Sequence, residues 1–401
     1  MTAAVDRADF PLLHPVTGRV IEGRPVIYLD SAATSLKPRA VLDAVAGYDT
    51  RYTANVHRAK HTLSEEASQA FQDGRGQVAA LIKARPRDLV FTSGTTAAIN
   101  LVALGLGFPP GSNVVGTVQD HHSNLLPWYQ RAEVRLCPVD ESGTVDVDRL
   151  LSLVDGNTRI VAIGHASNAT GAVQPIRAIA DALAGKAPLL VDGAQSVPHL
   201  PIDVAALGCD FLAFSAHKML GPTGIGALWG KAERLEALGT PLVGGGMVDV
   251  VTATGFTTKS LPYRLEPGTP HIEGAIGFGA AAAYLMACGM DRVAAHDALL
   301  AERLVHGLAG IPGTRLLGPP PGEGRLALAS LVIDRKVAAD HVAMILSDTY
   351  KVMARSGHHC CHPYFDAVHA SGALRLSAYL YNTVDEVDTA VAAVREILAT
   401  V

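Results

Sequence analysis

Phe211-Leu212-Ala213-Phe214-Ser215-Ala216-His217-Lys218, followed shortly by Gly221-Pro222-Thr223-Gly224, is the stretch on which the fold turns. Four apolar residues read as a short buried strand, and a lysine stands just past its end, ahead of a glycine-rich turn. Working outward, Leu89 to Thr92, Asn113 to Val118, Arg159 to Gly164, Pro188 to Val191 and Ile225 to Trp229 are apolar runs of the same kind. Helix-length segments such as Thr95 to Leu106 and Ile176 to Leu183 separate most of them. Short buried strands alternating with helices predict an α/β fold with a mostly parallel central sheet flanked by helices. At least one strand is expected to run against the others. Ligands of such sheets gather at the carboxyl ends of the strands.

Beyond about residue 290 the pattern changes. A helix over Met290 to Leu308 precedes short strands near Arg315 to Leu317, Ala329 to Ile333 and Lys351 to Arg355, and a last helix covers Thr383 to Ala399. This predicts a large domain over 25–290 and a smaller α+β domain built from 1–24 and 291–401. Gly318 to Gly324 reads as a surface loop, and Leu261 to Gly274 as a long functional loop leading into a helix.

The chain has 401 residues, 49% hydrophobic and 18% charged, enough to bury a sizeable core. With 33 basic against 38 acidic residues and a net charge of -5, nothing points to nucleic acid as a partner. Met1 to Phe10 carries two aspartates and no apolar core, so no secretory signal is expected there. Ile276 to Met286 is rich in Gly and Ala and shorter than a membrane span, and a buried helix is its plainer reading. No membrane partner is expected. Five unevenly spaced cysteines suit reduced thiols and a cytoplasmic location.

Four local signals stand in order along the sheet. Lys218, desolvated at a strand end, becomes a usable amine nucleophile, although a lone lysine in a turn more often faces solvent. Asp192, in Leu190-Val191-Asp192-Gly193-Ala194-Gln195, ends an apolar strand. A carboxylate there calls for a cation such as a protonated pyridine nitrogen, or else caps the next segment. Thr92-Ser93-Gly94-Thr95-Thr96 lies at a strand-to-helix junction, where free N–H groups, hydroxyls and the helix dipole make a phosphate seat or a simple N-cap. His121, in Asp120-His121-His122-Ser123-Asn124, is placed to stack on an aromatic ring or to serve structure alone. Each signal is ordinary by itself. Together, each following a predicted strand, they describe one cofactor site.

With these residues in view the chain resembles the class V (fold-type I) pyridoxal-phosphate enzymes, and within them the Suf-type cysteine desulfurases and selenocysteine lyases. The resemblance runs over almost the whole chain. It includes Tyr28 to Thr34, Asn55-Val56-His57-Arg58, Gly94-Thr95-Thr96, His121 to Asn124, Ser167-Asn168-Ala169-Thr170-Gly171 and Val191 to Gln195. It continues through Ser215 to Lys218, Glu266-Pro267-Gly268-Thr269-Pro270, Arg355 to Cys360, Arg375 and Tyr381-Asn382-Thr383. The resemblance implies pyridoxal 5'-phosphate as cofactor, held as a Schiff base on Lys218. Asp192 would pair with the pyridinium, Gln195 would contact the ring phenolate oxygen, and His121 would stack on the ring. Thr95, Thr96, Ser215 and His217 would hold the phosphate, with Thr269 reaching across from a second subunit of a homodimer. Asn168 would contact both the cofactor and the substrate, and Arg355 and Arg375 would bind the substrate, the guanidinium fork suiting a carboxylate.

Cys360 matches the family's nucleophile. Its thiolate would attack the sulfur of L-cysteine, leave a persulfide on the enzyme and release alanine, for delivery to a sulfur-acceptor protein in iron–sulfur assembly or metabolite thiolation. Arg355, His358 and His359 could supply the cationic field such a thiolate needs. A buried structural cysteine and a metal site of His358, His359, Cys360, Cys361 and His362 are the competing readings. Adjacent residues point different ways and no second paired-ligand motif exists, so no metal is expected. Cys361 and His362 depart from the family, where a small residue more often follows the nucleophile. Ala97 and Gly246-Met247-Val248-Asp249 depart from it too. Another reaction on the same scaffold, by a C–S lyase, an epimerase or a transaminase, stays open, as does a non-catalytic partner in sulfur relay.

Overall fold

The computed structural model describes residues 3–57, 60–140, 142–322, 324–334 and 337–400. Met1, Arg58 of the Asn55 to Arg58 motif, and Glu323 of the Gly318 to Gly324 loop lie outside the described residues. The large sheet has seven strands: β1 (Leu89–Thr92), β2 (Asn113–Thr117), β3 (Glu133–Cys137), β4 (Thr158–Gly164), β5 (Leu189–Asp192), β6 (Phe211–Ser215) and β7 (Gly226–Gly230). Their order across the sheet is β1-β7-β6-β5-β4-β2-β3. The reversed strand is β7, antiparallel to both β6 and β1, while the pairs from β6 to β3 are parallel.

Strand residues alternate between two hydrophobic clusters, as a period of two requires. Val161, Ile163, Val191, Leu212 and Phe214 enter one, whereas Ile160, Ala162, Leu190, Phe211 and Ala213 enter the other. The first is covered by α1 (Arg39–Arg51) and α2 (Thr62–Leu81), the second by α3 (Thr95–Gly105). The first cluster also takes up α4 (Ile272–Cys288), so the Gly- and Ala-rich segment is a buried helix. Its composition has a steric cause: a Cβ on Gly279 would sit 2.4 Å from the Gly74 Cα of α2, so the two helices touch backbone to backbone.

Helix α5 (Met290–Leu308) leads to a second sheet of β8 (Thr314–Leu317), β9 (Leu328–Ile333), β10 (Arg355–Gly357) and β11 (Ala373–Ser377), ordered β8-β9-β11-β10 and antiparallel throughout. A short helix α6 (His362–Ala367) and the final helix α7 (Val384–Thr400) follow. Leu300, Leu304, Leu331, Leu376, Val394 and Ile397 share its core with Leu29, while Phe10 and Leu13 pack in the large core.

The expected strand over Lys351 to Arg355 is divided. Val352–Met353 pairs with Ile27–Tyr28, and the sheet strand begins at Arg355. Within the seven-stranded and four-stranded sheets, two strands were not foreseen. In β3, Glu133 and Arg135 interrupt the apolar run because the strand lies at a sheet edge. In β11, Arg375 breaks the run, yet all five residues are buried. Among the described residues no single helix is long and apolar enough to cross a membrane.

Candidate active site

The carboxyl ends of β4, β5 and β6 open into a cavity of about 350 Å³. Strand β6 ends at Ser215, and a 3-10 turn over Ala216–Lys218 carries the lysine into the cavity wall. Gly221 permits that turn: its N–H donates to the Ala216 carbonyl at 2.9 Å, and a Cβ there would meet the Ala216 Cβ at 2.8 Å. Burial holds the Lys218 amine below its ordinary pKa, with Asp192 opposing the shift and Arg375 adding to it. Next along the sheet, Asp192 ends β5, and burial pushes its carboxyl up. Ala194 donates to its Oδ1 at 2.9 Å.

At the start of α3, Ser215 Oγ accepts from the Thr95 N–H at 2.8 Å and lies 2.6 Å from Thr95 Oγ1. Thr96 Oγ1 is 2.7 Å from Ser123 Oγ. Gly94 enters the helix at φ 146, and a Cβ there would press on Ser215 Oγ at 3.4 Å. The first turn of α3 therefore presents hydroxyls and helix amides together on the cavity. His121 accepts from the Ser123 N–H through Nδ1 at 3.1 Å, and burial, then Lys218, His122 and Arg375, hold it down to about 3. It is thus a neutral ring with an aromatic face on the cavity. His217 is likewise held down to about 4 by burial, Lys218 and Lys37. Gln195 Nε2 donates to the Ala32 carbonyl at 2.8 Å.

The small sheet supplies the opposite wall. Arg375, buried at 3% exposure on β11, donates to Asp30 Oδ1 at 3.1 Å and to the Asn168 carbonyl at 3.0 Å. Its Nε is buried without a partner among the described residues. Arg355 pairs with the same Asp30 at 3.0 Å and stays half-exposed. Cys360 follows β10 in a loop where His359 and Cys360 adopt φ 50 and 59, the left-handed region that side chains avoid. Two groups of the large sheet hold this strained loop: His122 N–H donates to the Cys360 carbonyl at 2.9 Å, and Asn168 Nδ2 to the His359 carbonyl at 2.6 Å. Cys360 is exposed and lines the cavity. Cys361 is fully buried, donates to Asn168 Oδ1 at 3.3 Å, and burial pushes its thiol well up.

The cavity therefore gathers Thr95, Thr96, His121, Asn168, Asp192, Gln195, Ser215, His217, Lys218, Arg355, Cys360 and Arg375. Thr269 is not among its lining; it is exposed on its loop. No group of three or more His, Cys, Asp or Glu is arranged to hold a metal among the described residues. Instead His358 and His362 stack at 4.3 Å, and His362 on His122 at 5.0 Å. Sequence reasoning assigned no role to Asp120, which lines the cavity; His359 lines it too, but burial, then Arg375, hold it down to about 3, so it is a neutral ring and does not supply the cationic field expected of it. Asp120 accepts from Thr117, Gly164 and Asn124, joining the ends of β2 and β4, and burial raises it to about 6. Its signal was available: a carboxylate directly after an apolar strand, as at Asp192.

Residues 27–390 match the family model described as Aminotransferase class-V, and the chain belongs to that family. Within it, the chain is 43% identical over 398 residues to a probable cysteine desulfurase of Synechocystis sp., covering 96% of this chain and 93% of that one. It is 41% identical to a cysteine desulfurase of Haloferax volcanii, covering 98% and 97% of the two chains. Among solved structures, the apo cysteine desulfurase from Thermococcus onnurineus superposes with a TM-score of 0.92 at 34% identity, over 98% of both chains. The cysteine desulfurase CsdA from Escherichia coli, in an S-sulfonic acid form, gives 0.89 at 35% identity, over 98% of both.

Enzymes of this family depend on pyridoxal phosphate. The residues present fit that group. Asp192 is a buried carboxylate on the cavity that makes no ion pair within 4.0 Å among the described residues and feels Lys218 only at a distance, a place suited to a pyridinium nitrogen. The hydroxyls at the start of α3 suit its phosphate, and the depressed amine of Lys218 suits its carbonyl carbon.

Proposed function

We propose that the chain removes sulfur from L-cysteine, releasing L-alanine and leaving a persulfide on Cys360. The observation that carries this is the placement of Cys360: an exposed thiol, on a loop pinned to the large sheet, opening on the same cavity as Lys218. The named relatives and structures support the same chemistry.

When bound, pyridoxal phosphate supplies a carbonyl carbon for an amino group and a sink for electrons released at the substrate's carbons. The chain's own side chains then divide the work. Thr95, Thr96, Ser215 and His217 would hold the phosphate, Asp192 would keep the ring nitrogen protonated, Gln195 would contact the phenolate oxygen, and the neutral His121 would stack on the ring. Arg375, whose buried Nε has no partner among the described residues, would take the substrate carboxylate beside Asn168, with the half-exposed Arg355 also on the cavity. Lys218 Nζ, whose pKa burial lowers, would be the amine that holds the cofactor and would move protons at the substrate's carbons. Cys360 Sγ attacks the substrate sulfur as a thiolate. An S–S bond forms as the C–S bond breaks, the electron pair stays with the substrate's β-carbon, and protonation there gives alanine.

The working unit is inferred to be a homodimer. Thr269 is exposed and does not line its own cavity, while Thr96 and Ser123 also border a second hollow of about 210 Å³ that the half-exposed Leu126 lines. The Thr269 loop of a second copy would complete the phosphate seat from that side. The persulfide would pass to an acceptor protein in the cytoplasm, for iron–sulfur cluster assembly or thiolation, and selenocysteine is a second candidate substrate. The test is mass spectrometry after L-cysteine without reductant. A gain of one sulfur atom on the peptide bearing Cys360 is expected, and its absence sinks the persulfide.

A further inference from the structure

On the outer edge of the large sheet, away from the cavity, α2 presents a cation that the chemistry above does not use. Arg75 and Glu266 form a bidentate pair at 2.6 and 2.8 Å, with side chains only 2% and 8% exposed. The guanidinium lies 4.5 Å from the ring centre of Phe91, 5.3 Å from Phe71 and 5.8 Å from Tyr263. Arg75 also donates to the Leu89 carbonyl at 2.7 Å, and Glu266 accepts from the Phe91 N–H at 2.6 Å. Leu89 and Phe91 belong to β1, so the ion pair occupies the edge where a further strand would bond.

Burying an ion pair brings little stability over apolar packing, so a pair this well held points to a requirement for geometry. Both of its arms lead to phosphate contacts. One arm is β1, which ends three residues before Thr95. The other is the loop from Glu266 to Thr269, whose Gly268 N–H donates to the Gly245 carbonyl at 2.6 Å with φ 88. Glu266 and Gly268 are thus anchored, and Thr269 is left exposed just beyond them.

We propose that Arg75 and Glu266 are positioning residues that set the Thr269 loop for the phosphate seat of the other subunit. The inference rests on the cross-subunit reading of Thr269. Its test is the rate at which pyridoxal phosphate leaves the holoprotein on dilution, followed by absorbance, with the melting temperature recorded beside it. Glu266→Gln keeps the shape of the side chain and weakens the pair. It should speed cofactor loss about 10-fold, as a misplaced charged contact commonly does. Thr269→Ala should speed it too, and the double variant should exceed Thr269→Ala by no more than about twofold, since residues acting through one contact are not additive. A purely structural pair would lower the melting temperature and multiply fully with Thr269→Ala. That outcome, or wild-type retention in Glu266→Gln, overturns the proposal. Unchanged retention in Thr269→Ala would instead remove the cross-subunit reading itself. Should Glu266→Gln fail to fold, Arg75→Lys, which keeps the charge and loses the fork, is measured in the same way.

Discussion

The backbone N–H of His122 donates to the carbonyl of Cys360 at 2.9 Å. A loop of the large sheet thereby fixes a cysteine that the small sheet carries. His359 and Cys360, both left-handed, are held in that geometry by bonds from outside the loop, from His122 and Asn168 and between the His359 ring and the Ala373 carbonyl.

Adjacent cysteines are therefore separated in reactivity. In the native protein, iodoacetamide should label Cys360 well before Cys361, Cys137 or Cys209, all of which are fully buried. Peptide mapping after a short exposure reads this directly. Equal labelling of Cys360 and Cys361 would contradict the loop's placement.

Lys218→Ala should lose the absorbance band of the bound cofactor, because the depressed amine is the group that attaches to it. A variant that keeps the wild-type band would remove Lys218 from its role.

Much of this site was legible because it follows from strand ends. Lys218, Asp192, His121 and Thr95 each come just after a buried apolar run, and parallel strands bring such ends together. The wall from the small sheet was harder to see. Arg375 sits mid-strand in β11, where a charge argues against a buried strand, and its distant partners, the Asp30 carboxylate and the Asn168 carbonyl, make it tolerable. Likewise, no spacing reveals that Asn168 grips the His359 carbonyl across the two sheets. Those contacts are tertiary, and the Cys360 loop owes its shape to them.

Arg375→Lys keeps the charge and loses the fork. It should raise the L-cysteine concentration needed for half-saturation by at least about tenfold, since a truncated buried charge contact costs roughly 2–5 kcal/mol. Steady-state kinetics check this, and unchanged saturation would refute the carboxylate role.

Stability of the cofactor-free protein should fall as pH drops from about 6.5 toward 4. His121 and His359 are held down to about 3, and His165 and His217 to about 4, chiefly by burial. Below the unfolded value of about 6.5 the unfolded chain takes up protons that these folded rings refuse, so their contribution is lost with falling pH. Asp120, raised to about 6, and Asp192, also raised, act in the opposite sense and gain protons first in the folded state. With His57 and His122, which burial also lowers, six histidines stand against two carboxylates and leave a net loss. Denaturant midpoints at pH 8, 6.5 and 5 test it, and a rising midpoint toward pH 5 would contradict the burial of these rings.

The most direct test of sulfur transfer through Cys360 is alanine release from L-cysteine with a reductant present, in wild type and Cys360→Ala side by side. Alanine and sulfide are predicted from the wild type, with alanine lost in the variant. Equal turnover by both proteins, or pyruvate in place of alanine, would contradict the account and leave a different reaction on the same scaffold.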